Sequence, residues 1–215
     1  MRTGRKRGAK MRVSRRSFLK NGCLAALGLA ASRAPGATAK RPLPPVDLDF
    51  LAELDVVRRA EWAEAPPRVW RLRPAGAFHR LTVHHAGTVV SYHTHRDVVA
   101  CDVEGILAGH VRKNYGDIGY HFIVDYAGRV WEGRSLAYEG AHVCWENAGN
   151  IGVMLLGNFQ EQKPSAAQIE SLGKLAGLLR KRYGIKHHRV YGHRDLAHSL
   201  CPGAHLYPYV LKLRA

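Results

Sequence analysis

The segment Gly192-His193-Arg194-Asp195 through Ser199-Leu200-Cys201-Pro202-Gly203 sets an imidazole and a thiol eight positions apart, with a Pro-Gly turn behind the thiol. Imidazole nitrogen and thiolate sulfur are the usual ligands of zinc. Taken alone, the pair also describes a loop with a buried cysteine. Two upstream groups widen the pattern: Val83-His84-His85 and Gly119-Tyr120-His121-Phe122. Histidines at the end of a strand stand where loops gather ligands over a sheet edge. Three such groups at strand ends are able to converge on one metal.

The flanking patterns supply the elements to hold them. Arg80 to His84 alternates apolar and polar and predicts a strand. Val99, Val103, Ile106, Leu107 and Val111 recur at helical spacing between Arg96 and Lys113. Gly119 to Val124 and Arg129 to Glu132 predict a hairpin around a turn at Asp125–Gly128. Asn150 to Leu156 is nearly all apolar, as a strand buried on both faces should be. Ser165 and Gln168 form a capping box before a stripe of Ile169, Leu172, Leu175, Ala176 and Leu179. Lys181 and Arg182 suit the C-terminus of that helix, and Gly184 its left-handed stop. A last strand is expected over Lys186–Tyr191 and a short helix over Leu206–Leu213. The order predicts one α/β domain, a central mixed β-sheet flanked by helices.

The charge is uneven. Of the 33 Lys and Arg, ten lie in residues 1–39 with no acid among them, leaving 23 bases against 17 acids in the rest. That remainder suits a polyanionic surface such as a cell wall. No basic-aromatic stripe follows residue 40, which argues against nucleic acid as a partner. Residues 1–39 follow the order charged, apolar, small: Arg15-Arg16-Ser17-Phe18-Leu19-Lys20, an Ala/Leu run from Gly22 to Ala31, then Ala37-Thr38-Ala39. This looks like a twin-arginine export signal, and its apolar run is too short for a stable membrane span. The expected organisation is a leader over 1–39, a proline-punctuated segment over 40–67 with one short helix at Asp47–Val57, and a compact domain over 68–215. Cys23 leaves with the leader. Cys101, Cys144 and Cys201 remain, which fits one disulfide and a metal thiolate or three free thiols.

In chain order stand Arg59-Ala60-Glu61-Trp62, Val83-His84-His85-Ala86, Asp117-Ile118-Gly119-Tyr120-His121-Phe122, Trp131-Glu132-Gly133-Arg134, Gly140-Ala141-His142 with Asn147, and Gly192-His193-Arg194-Asp195 with Cys201-Pro202-Gly203. The series resembles the peptidoglycan recognition proteins and the short phage lysozymes, the zinc-dependent N-acetylmuramoyl-L-alanine amidases, over about residues 58–210. The resemblance implies a Zn2+ ion in a groove at the sheet edge, held by His84, His193 and Cys201. It makes Tyr120 the catalytic tyrosine and puts Ser199 where phage enzymes carry Lys and recognition proteins usually Thr. It sets His85, Arg134, His142 and Asn147 beside the substrate. Arg134 is suited to a stem-peptide carboxylate, or equally to bracing the hairpin. His142 and Asn147 serve either the groove or their own loop. Three protein ligands leave a fourth tetrahedral position open, the mark of a catalytic zinc site.

The implied activity is cleavage of the amide between the lactyl group of N-acetylmuramic acid and L-alanine. Peptidoglycan or its muropeptides are the partners, and the place of action is the periplasm or the medium after twin-arginine export, as a monomer. A recognition module without turnover is the competing reading, and members of that kind typically lose the Cys ligand. The animal proteins' disulfide after the first His ligand has no counterpart, since only Cys101 stands in that neighbourhood.

Overall fold

A computed structural model describes residues 46–215. The leader, its arginine pair, its cleavage site and Cys23 lie outside the described residues.

The chain enters through a 3₁₀ turn at Asp49–Leu51, the two-residue strand β1 (Val56–Val57) and the short helix α1 (Arg59–Trp62). Then come β2 (Arg80–His85), α2 (Arg96–Arg112), β3 (Phe122–Val124), β4 (Val130–Glu132), β5 (Asn150–Leu155), α3 (Ala166–Tyr183), β6 (Val190–Gly192) and α4 (Tyr207–Arg214). The strands make one six-stranded sheet in the order β1-β4-β3-β5-β2-β6. Only β3 and β4 pair antiparallel; every other pair is parallel. The sheet is mixed and flanked by helices, as the patterning predicts.

β5 lies inside the sheet and all six of its residues are buried, which explains its unbroken apolar reading. β2 pairs with it from Arg80↔Asn150 to His85↔Leu155. Side chains alternate across the sheet. Leu81 and Val83 therefore join the core under α3 and α4, with Ile151, Val153, Leu155, Leu172, Leu175 and Val210. Ile123, Trp131 and Met154 face the other way, into a second core with Val99, Val103 and Leu107 of α2. The same alternation sends His84 and His85 to opposite sides of the sheet.

The β3–β4 hairpin is locked by Asp125. Its buried carboxylate accepts from Trp131 Nε1 (2.8 Å), Arg129 Nε (2.6 Å) and the Arg129 amide (3.0 Å). Helix α3 starts at the capping box: the Gln168 amide donates to Ser165 Oγ (3.0 Å) and the Ser165 amide to Gln168 Oε1 (3.1 Å). The buried Gln168 side chain also donates to the Leu156 carbonyl (3.0 Å), tying the helix to the end of β5. Gly184 ends the helix with φ 66°.

Two local expectations are corrected. No helix spans Asp47–Val57. Val56 and Val57 pair instead with Val130 and Trp131, far along the chain, because the hairpin leaves β4 with an open edge that β-branched residues fit. Leu48, Leu51, Val57 and Trp62 are buried, so the described part of the proline-punctuated segment enters both cores. Over Lys186–Tyr191, residues His187–Arg189 form a 3₁₀ turn and the strand is only Val190–Gly192.

β2, β5 and β6 run parallel, so their C-terminal ends share one edge of the sheet. His84 and His85 close β2, and His193 follows β6, on that edge. Removing the cap of α3 should loosen the whole face beneath it. Ser165→Ala is expected to cost about 1 kcal/mol, read as a lowered midpoint in chemical denaturation; an unchanged midpoint would show that the capping box contributes nothing.

Candidate metal centre

The loop after β6 is folded back on itself. Asp195 accepts the Gly192 amide (2.8 Å) and is held by the Tyr207 hydroxyl and by Arg214. The Arg194 amide donates to the Cys201 carbonyl (2.8 Å), and the Cys201 amide to Ser199 Oγ (3.1 Å). Gly203, at φ 95°, lies so close to Phe159 that a Cβ would sit 2.5 Å from its carbonyl carbon. This returns Cys201 to the end of β2. The ligand atoms of His84, His193 and Cys201 lie within 4.8 Å of one another.

The three residues fit zinc. Cys201 Sγ is 3.7 Å from His84 Nδ1. A sulfur and a nitrogen bound tetrahedrally to one zinc stand about 3.6 Å apart, given bond lengths of about 2.3 and 2.1 Å. The His85 amide points at the same sulfur (3.4 Å). Burial pushes the Cys201 thiol up to about 12, so only a bound cation makes a thiolate here at neutral pH. Burial, then the neighbouring imidazoles, hold His84 well below the usual histidine range, and burial lowers His193. Both are neutral and able to ligate.

Which nitrogen of His84 faces the cluster is fixed by a chain of hydrogen bonds. The Asn150 carbonyl can only accept, so His142 Nε2 carries the proton directed at it (3.1 Å). His142 Nδ1 is then an acceptor, and His84 Nε2–H donates to it (3.0 Å). His84 Nδ1 is left with its lone pair toward Cys201. A histidine ligand whose second nitrogen is held in this way is fixed in tautomer and ring plane. Gly152 makes the room: a Cβ there would lie 2.5 Å from the His142 ring.

The remaining sequence candidates divide. Tyr120 follows Gly119 toward β3, its ring 5.1 Å from that of His84 and 5.6 Å from that of His110. Burial raises its pKa, so its hydroxyl stays a donor at neutral pH. Ser199 Oγ accepts the Cys201 amide and shapes the ligand loop. His85 Nδ1 accepts the Phe159 amide (3.1 Å) and its ring stacks on Phe159, so the neutral imidazole carries its proton on Nε2. Burial and then His193 lower His85 to about 4. Asn147 Oδ1 accepts the His142 and Val143 amides (2.8 and 3.0 Å), which is the loop role.

Of the two roles open to Arg134, the bonds show the bracing one. Its guanidinium, in a residue 3% exposed, donates to the carbonyls of Ile118, Glu139, Tyr115 and Asp117. Four of its five N–H groups are spent on backbone carbonyls, which braces the hairpin, and the residue also lines a cavity of about 410 Å³. Cys101 and Cys144 are exposed and unpaired.

Sequence reasoning passed over His110. Its Nδ1 accepts the Gly119 amide (2.9 Å), its ring stacks on Tyr115, and it lines a cavity of about 600 Å³ with Ala86, Val89, Ile106, Tyr120 and Leu156. The signal was present, since His110 falls seven after Val103 and four after Ile106 on the buried stripe of α2. The Asn150 carbonyl gave no sequence signal, because every residue has one.

A family model described as N-acetylmuramoyl-L-alanine amidase matches residues 74–204. A peptidoglycan-recognition protein of Drosophila melanogaster is 30% identical over 159 residues, 73% of this chain and 85% of that one. N-acetylmuramoyl-L-alanine amidase of Homo sapiens is 32% identical over 161 residues, 69% of this chain but 26% of the human one. Among solved structures, the complex of tracheal cytotoxin with the ectodomains of peptidoglycan recognition proteins LCa and LCx superposes with TM-score 0.67. That match has 30% identity and covers 74% of this chain and 96% of that one.

Two outcomes test the centre. His142→Ala should weaken zinc binding by about 10- to 100-fold, measured by competition with a chelating dye; equal affinity would break the orienting chain. Buried His121 and His142 are lowered by desolvation to about 4 and about 3, against 6.5 when unfolded. Below 6.5 the unfolded chain takes up protons that the folded one refuses. Their contribution is therefore complete above pH 6.5 and is lost as pH falls toward 4, at up to about 1.4 kcal/mol per pH unit for each histidine. Denaturation midpoints of the metal-free protein at pH 7 and pH 5 read this directly.

Proposed function

Because the chain belongs to the N-acetylmuramoyl-L-alanine amidase family, we propose that it is a zinc-dependent amidase that cuts the bond between the lactyl group of N-acetylmuramic acid and L-alanine in peptidoglycan. The observation that carries this reading is the convergence of His84, His193 and Cys201 beside the ring of Tyr120. A recognition domain has no need of a preorganised N,N,S donor set next to a protonated phenol.

Zinc held by these three residues would supply a Lewis acid for the carbonyl and a water of lowered pKa. The protein's own groups do the rest. The Tyr120 hydroxyl, kept protonated by burial, is the donor for the charge that develops on the carbonyl oxygen. Ser199 holds Cys201 through its lone pair, and its hydroxyl hydrogen, with no acceptor among the described residues, is available as a second donor. His85 supports the centre from behind, through its amide on the Cys201 sulfur and its ring on Phe159. Ala86, Val89, Ile106 and Leu156 give the adjoining cavity an apolar wall that keeps water off one side of the scissile amide. Beyond Tyr115, which stacks on His110, a cavity of about 410 Å³ lined by Arg71, Arg73, Glu139 and Trp145 extends the groove and offers charged groups to a stem peptide.

Residues 1–39 are assigned as a twin-arginine leader, 40–67 as the proline-punctuated segment whose β1 and α1 pack into the fold, and 68–215 as the rest of the amidase domain, acting in the periplasm or medium. No helix among the described residues is long and apolar enough to cross a membrane.

The test is mass spectrometry of purified peptidoglycan digested with the mature protein, with and without a chelator, beside Cys201→Ala. Free peptides beginning with L-alanine, dependent on metal and on Cys201, are expected. Tyr120→Phe should keep its zinc and lose about 10²- to 10³-fold in turnover. Wall binding without any release of peptide from the zinc-loaded protein would sink the enzyme reading in favour of a recognition module.

A further inference from the structure

The positive charge of the described domain is concentrated in one segment. Residues 46–215 carry 21 Lys and Arg against 17 Asp and Glu. Six of those bases, Lys174, Arg180, Lys181, Arg182, Lys186 and Arg189, fall within residues 171–189, which hold no acid. Everything else amounts to 15 bases against 17 acids. The positive balance therefore comes wholly from the stretch between Lys174 in the middle of α3 and Arg189 in the 3₁₀ turn that follows it.

Part of this charge has a local use. Bases in the last turn of a helix offset its exposed carbonyls. Lys174 pairs with Glu170 (2.7 Å), and Lys181 and Arg182 line a cavity that also holds Asp49 and Glu53. Arg180, Lys186 and Arg189 differ. Their side chains have no hydrogen-bond or ion-pair partner among the described residues, and Lys186 and Arg189 stand beyond the helix end. Like charges crowded together without acids cost solvation and repulsion unless an anion joins them.

The ground between them is shaped to receive one. A cavity of about 450 Å³ is lined by Gly177, Arg180, Lys181, Gly184, Lys186 and His187, with Ile185 and no carboxylate. Arg180 Nε is buried and unpartnered, an N–H that costs free energy as it stands. Gly177 and Gly184 leave the space open, since a Cβ on either would meet nothing within 4 Å. Three cationic groups around such a space match the several oxygens of a phosphate better than the two of a carboxylate.

Position and surface narrow the partner. The turn at His187–Arg189 leads into β6 at one end, and His193 leaves β6 at the other. The three residues of the strand put about 10 Å between the two ends, so an anion at the turn leaves the metal groove free. A membrane-docking face needs apolar side chains to enter the acyl region. The large exposed apolar residues, among them Trp70, Val89, Tyr92, Trp145 and Leu200, all lie outside residues 171–189.

We propose that this basic face docks a phosphodiester polymer of the wall, with one phosphate seated between Arg180, Lys186 and His187 and its neighbours running past Arg189 and Lys181. The face holds the protein on a phosphate-bearing wall while the groove on the opposite edge of the sheet works. Docking does not depend on the amidase reading.

The experiment is binding of the mature protein to poly(glycerol phosphate) by calorimetry over a range of salt. A carboxylate polymer, polygalacturonate, and phosphatidylglycerol vesicles are run beside it. Arg180→Gln, Lys186→Gln and Arg189→Gln together should weaken the phosphate polymer about tenfold or more and flatten the salt dependence by about two charges. The pair Lys186→Gln with Arg189→Gln, both exposed, should lose part of the affinity with an unchanged denaturation midpoint. A control that removes three bases elsewhere, Arg68→Gln, Arg112→Gln and Lys163→Gln, should bind like wild type. Release of peptide from soluble muropeptides should be untouched by the first triple change, and release from walls bearing the polymer should fall. Equal losses in both triple variants overturn the proposal in favour of general charge attraction. Equal affinity for polygalacturonate, or tighter binding to the vesicles, overturns the phosphodiester assignment. If the polymer binds as stated while no peptide is ever released, the docking face stands and the amidase reading fails.

Discussion

A backbone carbonyl on β5 decides the chemistry of a side chain on β2. The Asn150 carbonyl can only accept, His142 must therefore donate to it from Nε2, and His84 must donate to His142. The nitrogen of His84 that faces Cys201 is in this way left unprotonated by the sheet itself. The order of the strands makes this possible. β2 lies between β5 and β6, so one strand end receives its orienting partner from the segment before β5 and its co-ligand from the segment after β6. In the absence of that pairing, the three donors would be separate loops with ordinary acid-base behaviour.

The same alternation that packs the core selects one histidine of the pair. Val83 is buried under α3, so His84 turns to the face shared with α2, and His85 turns back toward Phe159. His85 then serves the centre from behind, with its amide on the Cys201 sulfur and its Nδ1 spent on the Phe159 amide. A period of two residues separates ligand from support more sharply than either side chain's chemistry does.

Local signals were legible where a local interaction forms the element. Ser165, Gln168 and Gly184 begin and end α3 as their types require, and Asp125 with Gly128 makes the expected turn. The segment Asp47–Val57 was illegible for the opposite reason. Its fate is set by an open edge on β4, more than seventy positions away, and helical spacing carries no trace of it. The site divides in the same manner. His84, His193 and Cys201 stand in a recognisable series of motifs. For Arg134 a sequence leaves a ligand and a brace equally open, because it shows the guanidinium and not the four carbonyls around it. Lys181 and Arg182 were legible as the bases of a helix end, yet a sequence does not show that Arg180, Lys186 and His187 face one cavity with Lys181.

Burial and exposure divide the domain into two electrostatic environments. Around the metal position, desolvation keeps the imidazoles neutral and the phenol protonated, so each group is ready in the form it uses. At the other end of β6, Lys181, Lys186 and Arg189 are exposed and Arg180 half-buried, with no acid among them. The parallel run of β2, β5 and β6 keeps these environments on opposite edges of one sheet. That separation has a physical reason. A cluster of cations beside the centre would repel the metal and favour protonated ligands, whereas the same cluster across the sheet is screened over about a Debye length. The donor set at one edge is thus kept apart from the surplus of positive charge at the other.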